Sequence, residues 1–352
     1  MENRYWSLDI LWKVLLSLIL LFFALFEARG ILIPFVFSVF IALILNPVVS
    51  FLNRKGLNRV LAILLTLLSV AALFGTLLVL TGSQAKNLFI DFPLLVERLK
   101  LYIETKGALL QSELTISNND QLEMLKQTTN GILSTGSSIF SDALSVTSDL
   151  FTFISLVPIY IFFMLLYKDN LKRFLVVIGE RNKNSKLLDV SRSINYMVRN
   201  YIAGLLLVIS ILATLNTIGF LALGIQYAVF LGVVSAALSV IPYVGNLIGG
   251  TLPFVVALIT KDSFWYAIGV VAVVGFIQFL EGNFITPKVI GSKVNINPLA
   301  AIIALIIGGT LWGIIGMILA IPLIGMVKII MSNTTSLQPY SILLQDQEAE
   351  NG

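Results

Sequence analysis

The chain has 352 residues, of which 57% are hydrophobic and 12% charged, with a mean hydropathy of +0.95. A soluble domain is about half apolar and about a quarter charged, so composition excludes a water-soluble globule. Apolar runs near the roughly 20 residues that cross a bilayer, without the dyad alternation of a barrel, point to an all-α, polytopic helical membrane protein.

Cysteine and histidine are absent, which removes thiolate chemistry, disulfides and any imidazole base or proton relay. No Walker lysine motif, nucleotide fingerprint or metalloprotease helix occurs, so no cofactor and no catalytic constellation are expected. The formal charge of +4 and pI near 9.2 belong to loops beside apolar runs. They read as membrane orientation, with no nucleic-acid partner.

In chain order, Leu8 to Phe26 is the first expected span, with Tyr5 and Trp6 as interfacial anchors. It is followed by Glu27-Ala28-Arg29-Gly30 and a second apolar run, which argues against a cleaved leader. Ile31 to Leu52 returns, and the loop Asn53 to Arg59 carries three cations and no acid. That loop is expected to be cytoplasmic, and the N-terminus with it.

Val60 to Leu80 goes out again. Residues 83–150 then change character: Leu88, Phe92, Leu95 and Tyr102 recur at helical spacing among charges. This predicts an amphipathic, extracytoplasmic helical insertion suited to a membrane surface or a subunit contact. Leu150 to Tyr167 crosses back. The segment from Lys168 to Arg199 is rich in lysine and arginine and carries the apolar stripe Leu187, Ile194, Met197 and Tyr201. It reads as a basic amphipathic helix lying on anionic lipid. Tyr201 to Leu223 then crosses outward.

Residues 228–260 and 299–331 are each about 48 Å long as one helix at roughly 1.5 Å per residue, against a hydrocarbon core of about 30 Å. The first is interrupted at Ile241-Pro242-Tyr243-Val244-Gly245-Asn246 and the second at Gly308-Gly309-Thr310. Proline removes a donor and glycine permits a tight turn, so each reads as a helical hairpin, re-entrant or fully spanning. The pentapeptide Ile248 to Leu252 recurs as Ile307 to Leu311, which weakly suggests related elements entering from opposite sides. Small-residue spacing at Gly245/Gly249, Gly309/Gly313 and Gly316/Ala320 fits close helix packing equally well.

Glu281 lies near the inner end of Phe264 to Leu280, beside Gln278 and Asn283. An embedded carboxylate is a functional candidate by default, and a hydrated helix-end glutamate is the plain alternative. Broken helices expose backbone groups that bind solutes or ions in transporters. The candidate substrate-binding residues are therefore Pro242, Tyr243, Gly245, Asn246, Gln278, Glu281, Asn283, Gly308, Gly309 and Thr310. The ligand is a small polar solute or a coupling cation.

The run Ile241 to Asn246, then Gln278-Phe-Leu-Glu-Gly-Asn283 with Pro287, then Asn297-Pro298, Ile307-Gly-Gly309, Gly313 to Gly316 and Ala320-Ile-Pro322 resembles the AI-2E transporter family, also described as PerM-like permeases. The resemblance implies a bacterial inner-membrane protein with about eight membrane segments including two helical hairpins. It also implies an elevator-like movement and a homo-oligomer, pentameric in relatives, and export of autoinducer-2 or sodium or lithium/proton antiport. The family pattern often has histidine where this chain has Asn297, so a histidine-dependent proton step is not expected here.

The resulting plan has N-terminal transmembrane helices over 1–82 and the insertion over 83–150. A transmembrane helix and basic amphipathic helix follow over 151–200, then a transport core over 201–331 and a cytoplasmic tail over 332–352. The acidic end of that tail, Gln345 to Glu350, is expected to be solvated and disordered. The function expected is a secondary transporter or exporter, with a sodium or lithium/proton antiporter or a non-transporting membrane scaffold as the alternatives.

Overall fold

The computed structural model describes residues 8–113, 147–181, 187–241, 244–290 and 295–346. The helices are α1 (Leu8–Glu27), α2 (Arg29–Arg54), α3 (Arg59–Glu113), α4 (Thr147–Leu166), α5 (Lys168–Arg181), α6 (Leu187–Ala222), α7 (Ala228–Leu238), α8 (Val244–Thr260), α9 (Phe264–Leu280), α10 (Thr286–Val289), α11 (Pro298–Ser332) and α12 (Gln338–Ser341). Among the described residues five helical stretches are long and apolar enough to cross a bilayer: Arg29–Arg54, Arg59–Leu88, Leu187–Ala222, Phe264–Val289 and Pro298–Ser332. The bent pair Thr152–Leu166 and Lys168–Ile178 raises this to six if taken as one span. Large apolar side chains stand exposed along α1 and along α3, Leu78 and Val79 among them, far more than a soluble surface carries. The chain is a multi-pass helical membrane protein.

The chain packs as two compact units, one of Met1–Leu67, Thr152–Ala203 and Ile290–Gly352, the other of Leu68–Phe151 and Gly204–Val289. In the first, Val49 of α2, Ile63 of α3 and Ile161 and Leu165 of α4 form one core cluster. Phe40, Met197, Val198, Ile202 and Leu319 form another, with Ile194 and Tyr201 packed on it. The stripe expected to lie on lipid from Leu187 to Tyr201 is thus largely core here: Met197 is buried and its helical neighbours pack around it. In the second unit Phe220, Leu231, Val256 and Val270 bring α6, α7, α8 and α9 around a common core that also holds Leu88 of α3.

Chain ends of helices follow local chemistry. Asn58 Oδ1 accepts from Leu61 N at the start of α3 (2.8 Å), and Ser263 caps α9. Asn297 Oδ1 accepts from Ala300 N (2.8 Å), with Pro298 behind it at the first helical position of α11. The expected outward span and the helical start of the insertion form one continuous helix, α3, because Thr81-Gly82-Ser83 does not interrupt it. The rest of the insertion, 114–146, lies outside the described residues.

Two further expectations are corrected. The interruption of α11 is at Trp312 (φ −130°) and Gly313 (φ +62°), downstream of the Gly308-Gly309 pair. Positive φ is what glycine supplies without steric cost, whereas Gly308 and Gly309 are helical and serve packing. A methyl group on Gly308 meets the Gly316 carbonyl oxygen at 2.5 Å, and one on Gly309 meets Met317 Cε at 2.5 Å, so the arms lie back to back. The tail is also ordered through Asp346. Ile296 and Gln345 form a β-bridge, Asn297 Nδ2 donates to Leu343 O (2.7 Å), and Asp346 N donates to Asn295 Oδ1 (3.1 Å).

Candidate functional site

The second unit concentrates the polar groups. Glycines let its helices approach closely. Gly245 sits against the Leu238 carbonyl, Gly249 against Ser235, and Gly232 against the Thr217 backbone. The buried Ser235 hydroxyl donates to Gly249 O across the α7–α8 pair (2.5 Å). These contacts put α7 and α8 side by side, with α6 and α9 against them.

At the end of α9 the helix widens instead of stopping. Residues Glu281–Ile285 form a π turn, with Thr286 N donating to Glu281 O, and the helix continues as α10. Glu281 therefore lies inside the apolar stretch Phe264–Val289 and not at its end. Such π turns recur at functional sites because the added residue re-aims its neighbours and loosens the backbone hydrogen bonding.

A small cavity of about 20 Å³ lies there, lined by Leu212, Asn216, Ser235, Ser239, Gly249, Gly250, Val274, Ile277, Gln278 and Glu281. Gln278 and Glu281, three residues apart on consecutive turns, both face it. Asn216 comes from α6 and is 6% exposed. Ser235 and Ser239 spend their protons on Gly249 O and Ala236 O (2.5 and 2.7 Å), which leaves their oxygens as acceptors. The lining thus combines one carboxylate, two amides and two hydroxyls, a hard-oxygen set that suits an alkali cation, a water or a solute hydroxyl. A volume near 20 Å³ holds one water-sized occupant, since about 10–15 Å³ is the minimum for that.

Of the residues singled out from sequence, Gln278 and Glu281 are brought together here. Gly245 serves the α7–α8 contact. Asn283 is exposed and donates to Phe279 O of its own helix (2.9 Å). Pro242 and Tyr243 lie outside the described residues, as does the side chain of Asn246. Gly308, Gly309 and Thr310 belong to the first unit, where the exposed Thr310 hydroxyl donates to Ile307 O (2.9 Å). Sequence reasoning missed Asn216, Ser235 and Ser239. The i, i+4 pair Ser235/Ser239 was the one local signal, two hydroxyls on one face of an apolar stretch, whereas Asn216 had none.

A second polar cluster holds the start of α7. Tyr227, in the left-handed region at φ +59°, donates its hydroxyl to Asp91 Oδ2 of α3. Gln84 Oε1 accepts from Phe230 N in the first turn of α7 (3.0 Å), satisfying a donor with no intrahelical partner. Partial burial, then the hydrogen bond to Asp91 and its charge, push the Tyr227 phenol up to about 12, so it remains a donor at neutral pH.

A sequence model described as AI-2E family transporter matches residues 15–336. YrrI of Bacillus subtilis, provisionally named a transport protein, is 30% identical over 341 residues, covering 93% of this chain and 90% of the relative. The AI-2 transport protein TqsA of Escherichia coli is 27% identical, with 92% of each chain covered. PerM of Escherichia coli, provisionally named a permease, is 27% identical with 90% of each chain covered.

Proposed function

Because the chain belongs to the AI-2E transporter family and is thus a membrane transporter and not of an enzyme family, we propose that it is a secondary exporter of a small polar solute. The proposed setting is the bacterial inner membrane, with both termini cytoplasmic and a homo-oligomeric, pentameric assembly. The observation that carries the reading is the cavity at the π turn. It gathers Glu281, Gln278, Asn216, Ser235 and Ser239 inside an apolar bundle, where embedding polar side chains is costly and favours a role in transport. The name of TqsA supports an autoinducer-2-like solute. Division of the chain into two compact units supports an elevator-type movement as part of the proposal.

The described cavity is far below the roughly 300–1,000 Å³ of small-molecule sites, so solute loading requires a wider state in which α7 and α8 part from α6 and α9. That same small volume favours a second reading, sodium or lithium/proton antiport with a cation held by Glu281. The purified chain in proteoliposomes, assayed with labelled autoinducer-2 and related polyols and separately for sodium-driven proton movement, distinguishes the two. Solute flux above empty liposomes supports the first and ion-coupled proton flux the second. Absence of both rejects these two readings.

A further inference from the structure

α4 and α5 meet at a bend of 57°, and polar groups of the first unit fix that elbow. Arg59 donates through Nε (3.1 Å) and Nη2 (2.6 Å) to the Leu165 carbonyl near the end of α4, and through Nη1 to Asp169 Oδ2 (2.5 Å) in the first turn of α5. Lys168 Nζ donates to Asn46 Oδ1 (2.7 Å) and to Ser50 Oγ (3.2 Å) of α2. One guanidinium thus closes the carbonyl end of α4 and holds the acid of α5, so α5 cannot follow the direction of the span it leaves.

The surface that α5 presents is of one kind. Leu171, Phe174 and Val177 are 63%, 58% and 56% exposed, and Lys172 and Arg173 are exposed beside them. Neither cation makes a hydrogen bond or ion pair among the described residues. Asp169 is already taken by Arg59. Residues 168–186 carry Lys168, Lys172, Arg173, Arg181, Lys183 and Lys186 against Asp169 and Glu180, so the segment is strongly cationic. Apolar side chains next to cations, on a helix turned away from an adjoining apolar helix, are what the bilayer interface selects: rings and aliphatic groups enter the acyl boundary while the cations meet phosphates.

We propose that α5 is an interfacial arm that binds anionic phospholipid headgroups of the membrane in which the protein sits. Phe174, Leu171 and Val177 insert below the headgroups, Lys172 and Arg173 contact their phosphates, and Arg59 sets the angle. This surface differs from the stripe Leu187 to Tyr201, which the core of the first unit consumes. It does not depend on which solute or ion is transported.

The test uses the full chain, which has no native cysteine. Val177→Cys carrying a nitroxide is reconstituted in phosphatidylcholine vesicles with or without phosphatidylglycerol, and its depth is read by oxygen and aqueous-nickel relaxation. Spin-labelled phosphatidylglycerol and phosphatidylcholine report lipid selectivity. The expected result is a lipid-embedded nitroxide in anionic vesicles and preference for phosphatidylglycerol, falling about fivefold per cation removed in Lys172→Gln, Arg173→Gln and their double variant. Selectivity is also expected to weaken in high salt. Both positions are exposed, and an unchanged melting temperature verifies that the variants fold. Equal depth and selectivity in neutral and anionic vesicles overturn the proposal, as does a nitroxide shielded from oxygen and nickel alike, which means that protein covers the face.

Discussion

Substituting Gly308 tests whether the two arms of α11 lie against each other. A methyl group there stands 2.5 Å from the Gly316 carbonyl oxygen and 3.1 Å from Ala320 Cβ. Comfortable heavy-atom contacts settle at about 3.5–4.0 Å, so the arms must separate by about 1 Å. Overpacking of that kind costs about 1–3 kcal/mol. Gly75 of α3 is also helical and has nothing within 4 Å of an added methyl. Both Gly→Ala changes gain the same helix propensity, up to about 1 kcal/mol, so the difference between the two variants isolates the clash. At about 2 °C per kcal/mol for a chain this long, Gly308→Ala is expected to melt about 2–6 °C below Gly75→Ala. The assay is tryptophan fluorescence in detergent at one fixed scan rate, because membrane-protein unfolding is commonly irreversible. If Gly308→Ala melts with Gly75→Ala or above it, the arms are not in backbone contact and the reasoning fails.

Other perturbations address separate joints. Trp312→Phe keeps the ring and removes the Nε1 donation to Leu25 O (3.0 Å). It is expected to cost about 1 kcal/mol and to lower the melting temperature, whereas no change removes the anchor of the Trp312-Gly313 turn to α1. Asn297→Ala deletes the α11 cap and the bonds to Leu343 O and Gln345 O. A loss of about 1 kcal/mol and faster proteolysis within 338–346 are expected, and unchanged cleavage contradicts the docked tail. Gln84→Leu withdraws the acceptor from Phe230 N. Amide exchange in the first turn of α7 is expected to speed up by about fivefold, from a loss of about 1 kcal/mol, and an unaltered rate refutes that clamp.

Helix positions and the membrane class were legible because they follow apolar length and composition. The exact interruption of α11 was not. Gly308-Gly309 and Gly313 both carry glycine, and only the backbone shows that the first pair serves close approach while Gly313 adopts positive φ. Likewise Glu281 reads as a helix end because Gly282 and Asn283 are poor helix formers. The π turn carries the helix past them and leaves the carboxylate mid-segment. Asn216, Ser235 and Ser239 escaped notice because the α8 and α9 residues that line the cavity with them are distant in sequence, so tertiary packing assembles it. The stripe around Met197 shows the converse limit, since amphipathic periodicity marks a face that is covered without saying whether lipid or protein covers it.

The most direct measurement compares transport by Glu281→Gln and Asn283→Ala in proteoliposomes with that of the unaltered chain. Both side chains lie in one π turn, yet Glu281 lines the cavity while the Asn283 amide bonds its own helix. At least about a tenfold loss of flux is expected for Glu281→Gln, the effect of about 1.4 kcal/mol on the rate-limiting step, with Asn283→Ala near the unaltered rate. Full flux and unchanged ion dependence in Glu281→Gln contradict that expectation.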